Sequence, residues 1–125
     1  MNKFSPFANW FGIENISADE RTAQIKMTVV DHHLNIYGTG HGGVALSFAD
    51  HACGALLEKI AKDQFYATVT FNSAFFKPVQ LGELIAEATL LNRTKSTAHI
   101  EAEVIQNGQL LFKASGSFAI RPMRD

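Results

Sequence analysis

Cysteine is almost absent from this chain. Cys53 is the one thiol among 125 residues, which excludes an internal disulfide and any zinc site assembled from several thiolates. A dominant charge is missing as well. Lys and Arg number 11 against 12 Asp and Glu, for a formal net charge of -1, so no broad basic field exists to hold a nucleic-acid backbone. No stretch is apolar enough to cross a bilayer, and the run from Met1 to Trp10 lacks the apolar segment and cleavage site of a signal peptide. The sequence therefore predicts a cytoplasmic protein with neither nucleic acid nor membrane as partner. Metal-ligand spacing is lacking too: His32-His33 and Asp50-His51 are adjacent pairs without the repeat that converges on an ion. Nor does Tyr37-Gly38-Thr39-Gly40 lead into the lysine of a phosphate-binding loop. No metal and no cofactor is expected.

What is present is apolar material, 46% of residues, enough to build the core of one domain spanning 1–125. Ser5 can cap a short helical turn from Pro6 to Phe11, with proline at the favoured first position. From Arg21 to Val30, Thr22, Gln24, Lys26 and Thr28 alternate with Ala23, Ile25, Met27 and Val29, the period of a strand with one buried face. A polar loop from Asp31 to Gly40 leads into a helix from about Gly42 to Ala61, ended by Lys62 and Asp63. Four segments rich in Val, Ile, Phe and Thr follow: Tyr66 to Phe76, Glu83 to Asn92, Thr97 to Ile105 and Leu110 to Ile120. Asn107-Gly108 marks a tight hairpin that makes the last two antiparallel neighbours. One helix after an early strand, then strands joined by short turns, describes an α+β fold with a helix laid on an antiparallel sheet.

The helix carries the chemistry. Gly42 and Gly43 lack Cβ atoms, so a ligand carbonyl can approach the N–H groups that a helix start leaves unpaired, the geometry of an oxyanion site. Asp50 lies deeper in the same helix, where partial desolvation suits a base or nucleophile. Ser47, Asp50, His51, Gly54 and Glu58 share one side of it, while Val44, Phe48, Ala49, Ala52, Cys53, Leu56, Leu57 and Ile60 cover most of the remainder. Periodicity alone leaves Asp50 either functional or part of an ordinary polar stripe, and Cys53 reads as a small buried residue.

Leu34-Asn35, then His41-Gly42-Gly43, then Asp50 nine residues after the histidine, resembles the motif of hotdog-fold acyl-CoA thioesterases of the phenylacetate-pathway, PaaI-like type. Thr68 to Phe76 followed by Lys77-Pro78 and Leu81-Gly82-Glu83 looks like that family's strand after the helix and its exit turn. The resemblance covers the chain from about Phe11 onward. It implies a hotdog fold, an antiparallel sheet wrapped around one long central helix, and hydrolysis of an acyl-CoA substrate.

The roles it implies are these. The Gly42 amide, beside Gly43, polarises the thioester carbonyl; His41 orients that loop; Asn35 holds the water or helps the carbonyl. Asp50 is the general base or the nucleophile, and Thr68 on the next strand positions the water. Family members pair through that strand, with the acid of one subunit meeting the His-Gly-Gly loop of its neighbour, so a homodimer or homotetramer is expected. Phe65, Phe71, Phe75 and Phe76 suit either a dimer seam or an internal core. Arg93 and Lys95 are the leading candidates for coenzyme A phosphates, ahead of Lys77, Arg121 and Arg124. Two other readings stay open: a hotdog enoyl-thioester hydratase or dehydratase using His41 or His51, and a non-catalytic acyl-CoA binder.

Overall fold

The computed structural model describes residues 5–123. The chain runs α1 (Pro6–Phe11), β1 (Glu14–Ala18), β2 (Thr22–Val29), a 3-10 turn (Asp31–His33), α2 (Gly42–Ile60), β3 (Gln64–Phe75), β4 (Gly82–Arg93), β5 (Thr97–Gln106) and β6 (Gln109–Pro122). The six strands form one antiparallel sheet in the order β1-β2-β4-β5-β6-β3. α2 packs along its inner face, the hotdog arrangement expected from the resemblance. Among the described residues no helix is long and apolar enough to cross a membrane.

Alternation decides which residues meet the helix. β2 buries Ala23, Ile25, Met27 and Val29, and β5 buries Ala98, Ile100, Ala102 and Val104, while the residues between them face outward. Register then stacks small residues across the sheet: Ala23 stands opposite Ala88, Ala88 opposite Ala102, and Ala102 opposite Ala114. Four methyl groups in a row leave room for α2 to lie close, and Phe48, Leu56 and Leu57 of α2 fill the space beside them. The outer face is polar, with Lys113 paired to Glu101 at 3.3 Å and to Glu103 at 3.6 Å.

The local signals act as read. Ser5 caps α1, its Oγ accepting the Ala8 N–H at 3.1 Å, and Asn107 and Gly108 take the positive φ of a two-residue hairpin, 51° and 75°. Two features depart from the sequence reading. β1 was not expected: its five residues are all exposed, and it pairs with β2 alone through a register shift between Asn15 and Ser17, so no apolar alternation marks it. β3 and β4 follow one another in the chain yet are not neighbours, because β3 lies at the far edge against β6. The irregular segment from Phe76 to Leu81 carries the chain from that edge back to mid-sheet and passes the start of α2, where the Val79 carbonyl accepts the Gly40 N–H at 2.7 Å.

Candidate active site

The loop before α2 is tied at every turn. His33, 4% exposed, accepts the Val30 N–H on Nδ1 at 3.0 Å, and its carbonyl accepts the His41 N–H at 2.9 Å. Asn35 Oδ1 accepts the N–H groups of Tyr37 and Thr39 at 2.8 and 3.2 Å, and its Nδ2 donates to Thr39 Oγ1 at 3.0 Å. These bonds deliver His41 as the N-cap of α2, where its Nδ1 accepts the Gly43 N–H at 2.9 Å. The Gly43 amide, expected at the substrate, is thus engaged in the cap. The Gly42 amide has no partner among the described residues, and the positive end of the helix dipole adds to its pull on a partial negative charge.

That amide opens on a cleft of about 300 Å³ whose lining includes Asn35, His41, Gly42, Phe75, Lys77 and Val79. A Cβ on Gly42 would stand 3.5 Å from Cε2 of Phe75, so glycine keeps the approach open.

Asp50 lies half-buried on α2 and is held from β3: the Thr68 hydroxyl donates to its Oδ1 at 2.8 Å. A bulge between Thr68 and Thr70 shifts the strand by one residue, which lets both Thr68 and, past it, Phe71 turn toward the interior. One turn further along α2, burial and then the Asp50 charge push the Cys53 thiol up from its ordinary pKa, so it stays protonated and is no nucleophile. Burial lowers His51 against the opposing effect of Asp50, and its ring lies 6.3 Å from that of Phe7. Among the described residues no group of three His, Cys, Asp or Glu could hold a metal ion.

The structure therefore joins Asn35, His41 and Gly42 at the cleft and joins Asp50 to Thr68, but keeps the two groups apart within one chain. Asp50 follows Gly42 by eight residues, about 12 Å along a helix. Arg93 and Lys95 lie at the opposite end of α2. The Arg93 guanidinium donates to the Ile60 carbonyl at 2.6 Å and to the Thr94 carbonyl at 3.0 Å, closing the C-terminus of the helix, and Lys95 is exposed on the following turn. Arg121 donates to the carbonyls of Ser96 and Ile120, and Arg124 lies outside the described residues. Lys77 is the cation in the cleft lining.

Of the two buried polar residues, sequence reasoning weighed His33 only as half of a pair unsuited to a metal and passed over Gln106. For Gln106 a signal existed, since it extends the inward series Ala98, Ile100, Ala102, Val104 with an amide.

Residues 37–113 match the Thioesterase superfamily, and the chain belongs to that family. A protein of Deinococcus radiodurans named "Putative esterase" is 32% identical over 118 residues, 92% of this chain and 79% of that one. Among solved structures, the PaaI protein of E. coli, from its phenylacetic acid degradation operon, is 26% identical with a TM-score of 0.88 and covers 95% of this chain and 86% of its own. A conserved protein of Pseudomonas aeruginosa is 25% identical with a TM-score of 0.88 and covers 94% of each chain.

Proposed function

We propose that this protein hydrolyses acyl-CoA thioesters to a free acid and coenzyme A, with 1–125 acting as one hotdog domain. The observation that carries this reading is the unpaired Gly42 N–H at the cleft, on the helix that also bears the Thr68-held carboxylate of Asp50. A thioester carbonyl gathers negative charge on oxygen as its carbon becomes tetrahedral, and the Gly42 amide is a fixed donor for that charge. Asp50 supplies the carboxylate. Acting as a base, it takes a proton from water as the water oxygen bonds to the carbonyl carbon; the C–S bond then breaks and the departing sulfur receives the proton. Acting as the nucleophile, its oxygen bonds to that carbon and the C–S bond breaks, so coenzyme A leaves as a thiolate that takes a proton from solvent; water then cleaves the resulting anhydride, freeing the acid and restoring Asp50. In either route Thr68 fixes the carboxylate through Oδ1, and the Nδ2 hydrogen of Asn35 that the loop does not use is available to the water or the carbonyl.

Both groups must reach one carbon. Reacting atoms meet at about 3–3.5 Å, so a separation of about 12 Å within a chain calls for a second copy. β3 supports that pairing: it is an edge strand, and Phe65, Val69, Phe75 and Phe76 on or beside it are more than half exposed. In this reading two copies join along β3, and Asp50 of one works with Gly42 of the other.

The test is thiol release from a panel of acyl-CoA esters, aromatic and aliphatic, with wild type and Asp50→Asn side by side. Hydrolysis by wild type that falls by about 10²- to 10⁴-fold in the variant is expected. No release from any ester, or full activity in the variant, overturns the proposal.

A further inference from the structure

Gln106 ends β5 on the inner face and is 5% exposed, yet every polar atom of its side chain is used. Its Oε1 accepts the Gln80 N–H at 2.9 Å, and its Nε2 donates to the Gln80 carbonyl at 2.8 Å and to the Glu83 carbonyl at 3.3 Å. The side-chain amide thus treats Gln80 as a neighbouring strand would, binding both its N–H and its C=O. This matters because Gln80 belongs to the Phe76–Leu81 crossover, which has no regular structure of its own. At its other end the crossover is held by the N–H groups of Phe76 and Lys77, which donate to the Leu111 carbonyl at 2.8 and 3.2 Å. Between these anchors lie Pro78 and Val79, which with Lys77 form one wall of the cleft.

The wall is coupled to the donor loop at one point. Val79, directly before Gln80, accepts the Gly40 N–H, and its Cβ stands 2.8 Å from where a Cβ on Gly40 would be. The two backbones touch because residue 40 is glycine. Gly40 is followed by His41, the cap of α2, and then by Gly42. A continuous path therefore runs from the Gln106 amide through Gln80, Val79 and Gly40 to the Gly42 N–H. No link in it is a flexible side chain except Gln106, which is immobilised by its three bonds.

We infer that Gln106 is a positioning residue for the reaction, holding the Phe76–Leu81 wall so that Val79 fixes Gly40 and thereby aims the Gly42 N–H. This deepens the thioesterase reading and rests on it. Gln106 touches no substrate; it sets the direction of a donor whose worth depends on alignment, and a displacement of about 1 Å in such a group can cost about 10²-fold in rate. Gln106→Leu removes all three bonds at similar volume, and Gln106→Glu keeps an acceptor for the Gln80 N–H while turning a carboxylate on two carbonyls.

The experiment measures kcat and KM with the best acyl-CoA ester found for wild type, together with amide exchange at Gly40 by NMR. For Gln106→Leu the expected result is a kcat lower by about tenfold to a hundredfold, a KM within about threefold of wild type as uniform binding is spared, and faster exchange at Gly40 while α2 amides keep their protection. If Gln106→Leu does not fold, Gln106→Glu is read in the same way. Wild-type kcat in a folded variant, or a lower kcat with Gly40 exchange unchanged, overturns the inference. Should wild type itself hydrolyse no ester, the thioesterase reading fails, and unchanged Gly40 exchange in the variant separately refutes the coupling.

Discussion

Three side chains carry different kinds of demand. Thr68 makes a charge-assisted bond to Asp50 from a strand, at a position where threonine also suits the sheet for its shape alone. Thr68→Val keeps that shape and removes the hydroxyl, so we expect kcat to fall by about tenfold, the scale of a bond to a charged group, with the melting temperature little changed. Lys77 borders the cleft but is exposed, and an exposed charge contributes about 1 kcal/mol at most. Lys77→Ala should raise KM for an acyl-CoA by roughly fivefold and leave KM for a short thioester without phosphates unchanged; equal effects on both would remove Lys77 from phosphate binding. His33 is a stability group instead. Burial, and then the neighbouring His32, lower its pKa, and its Nδ1 must stay unprotonated to accept the Val30 N–H. The folded protein thus binds a proton less readily than the unfolded chain, so the stability linked to this group is complete above the ordinary imidazole pKa of about 6.5. It is lost as pH falls through the lowered folded value, with a slope of at most about 1.4 kcal/mol per pH unit. His33→Asn should flatten that part of the fall in chemical denaturation measured between pH 7 and pH 5; an unchanged slope would locate the acid sensitivity elsewhere.

At the scale of elements, what was legible depended on whether an element declares itself locally. β2, β5 and the Asn107-Gly108 hairpin do, because strict alternation and positive φ are properties of neighbouring residues. β1 does not: a fully exposed edge strand has no buried face to imprint a pattern. The partner of β3 was hidden for another reason. Pairing with β6 is set by how the crossover runs past α2, and nothing within Gln64–Phe75 specifies it. The candidate site divides likewise. Asn35, His41, Gly42 and Asp50 stood out through the family motif that their combination resembles, whereas the capture of the Gly43 N–H by His41, the closing of α2 by Arg93 and the clamp made by Gln106 depend on tertiary geometry. The alanine row across β2, β4, β5 and β6 was visible only as alternation, yet its register sets how close α2 lies. Ala102, fully buried in mid-row, tests this. Ala102→Leu should destabilise the fold by about 1–3 kcal/mol through overpacking against the helix, and a denaturation midpoint equal to wild type would mean the row is not what α2 rests on.

For the whole molecule the question is whether one chain is enough. Each protomer carries an amide donor at one point of α2 and a carboxylate about 12 Å further along, so the proposed site takes one from each of two copies. A mixing experiment separates this from a site within one chain. Asp50→Asn removes the carboxylate, and Gly42→Val fills the approach to the amide, where even a Cβ would stand 3.5 Å from Phe75. Each variant alone should be inactive. If subunits exchange at random, half the dimers are mixed, and a mixed dimer has one site with both defects and one with neither. About a quarter of wild-type activity should then return, as closed two-fold pairing requires. A site built within one chain gives no recovery at any ratio, because every site then carries one defect or the other. Recovery must also depend on β3: Val69→Lys, a charge on the exposed bulge of that edge, introduced into both inactive variants should shift each to monomers in sedimentation and abolish the recovery. Recovery that persists in monomers would refute pairing along this strand.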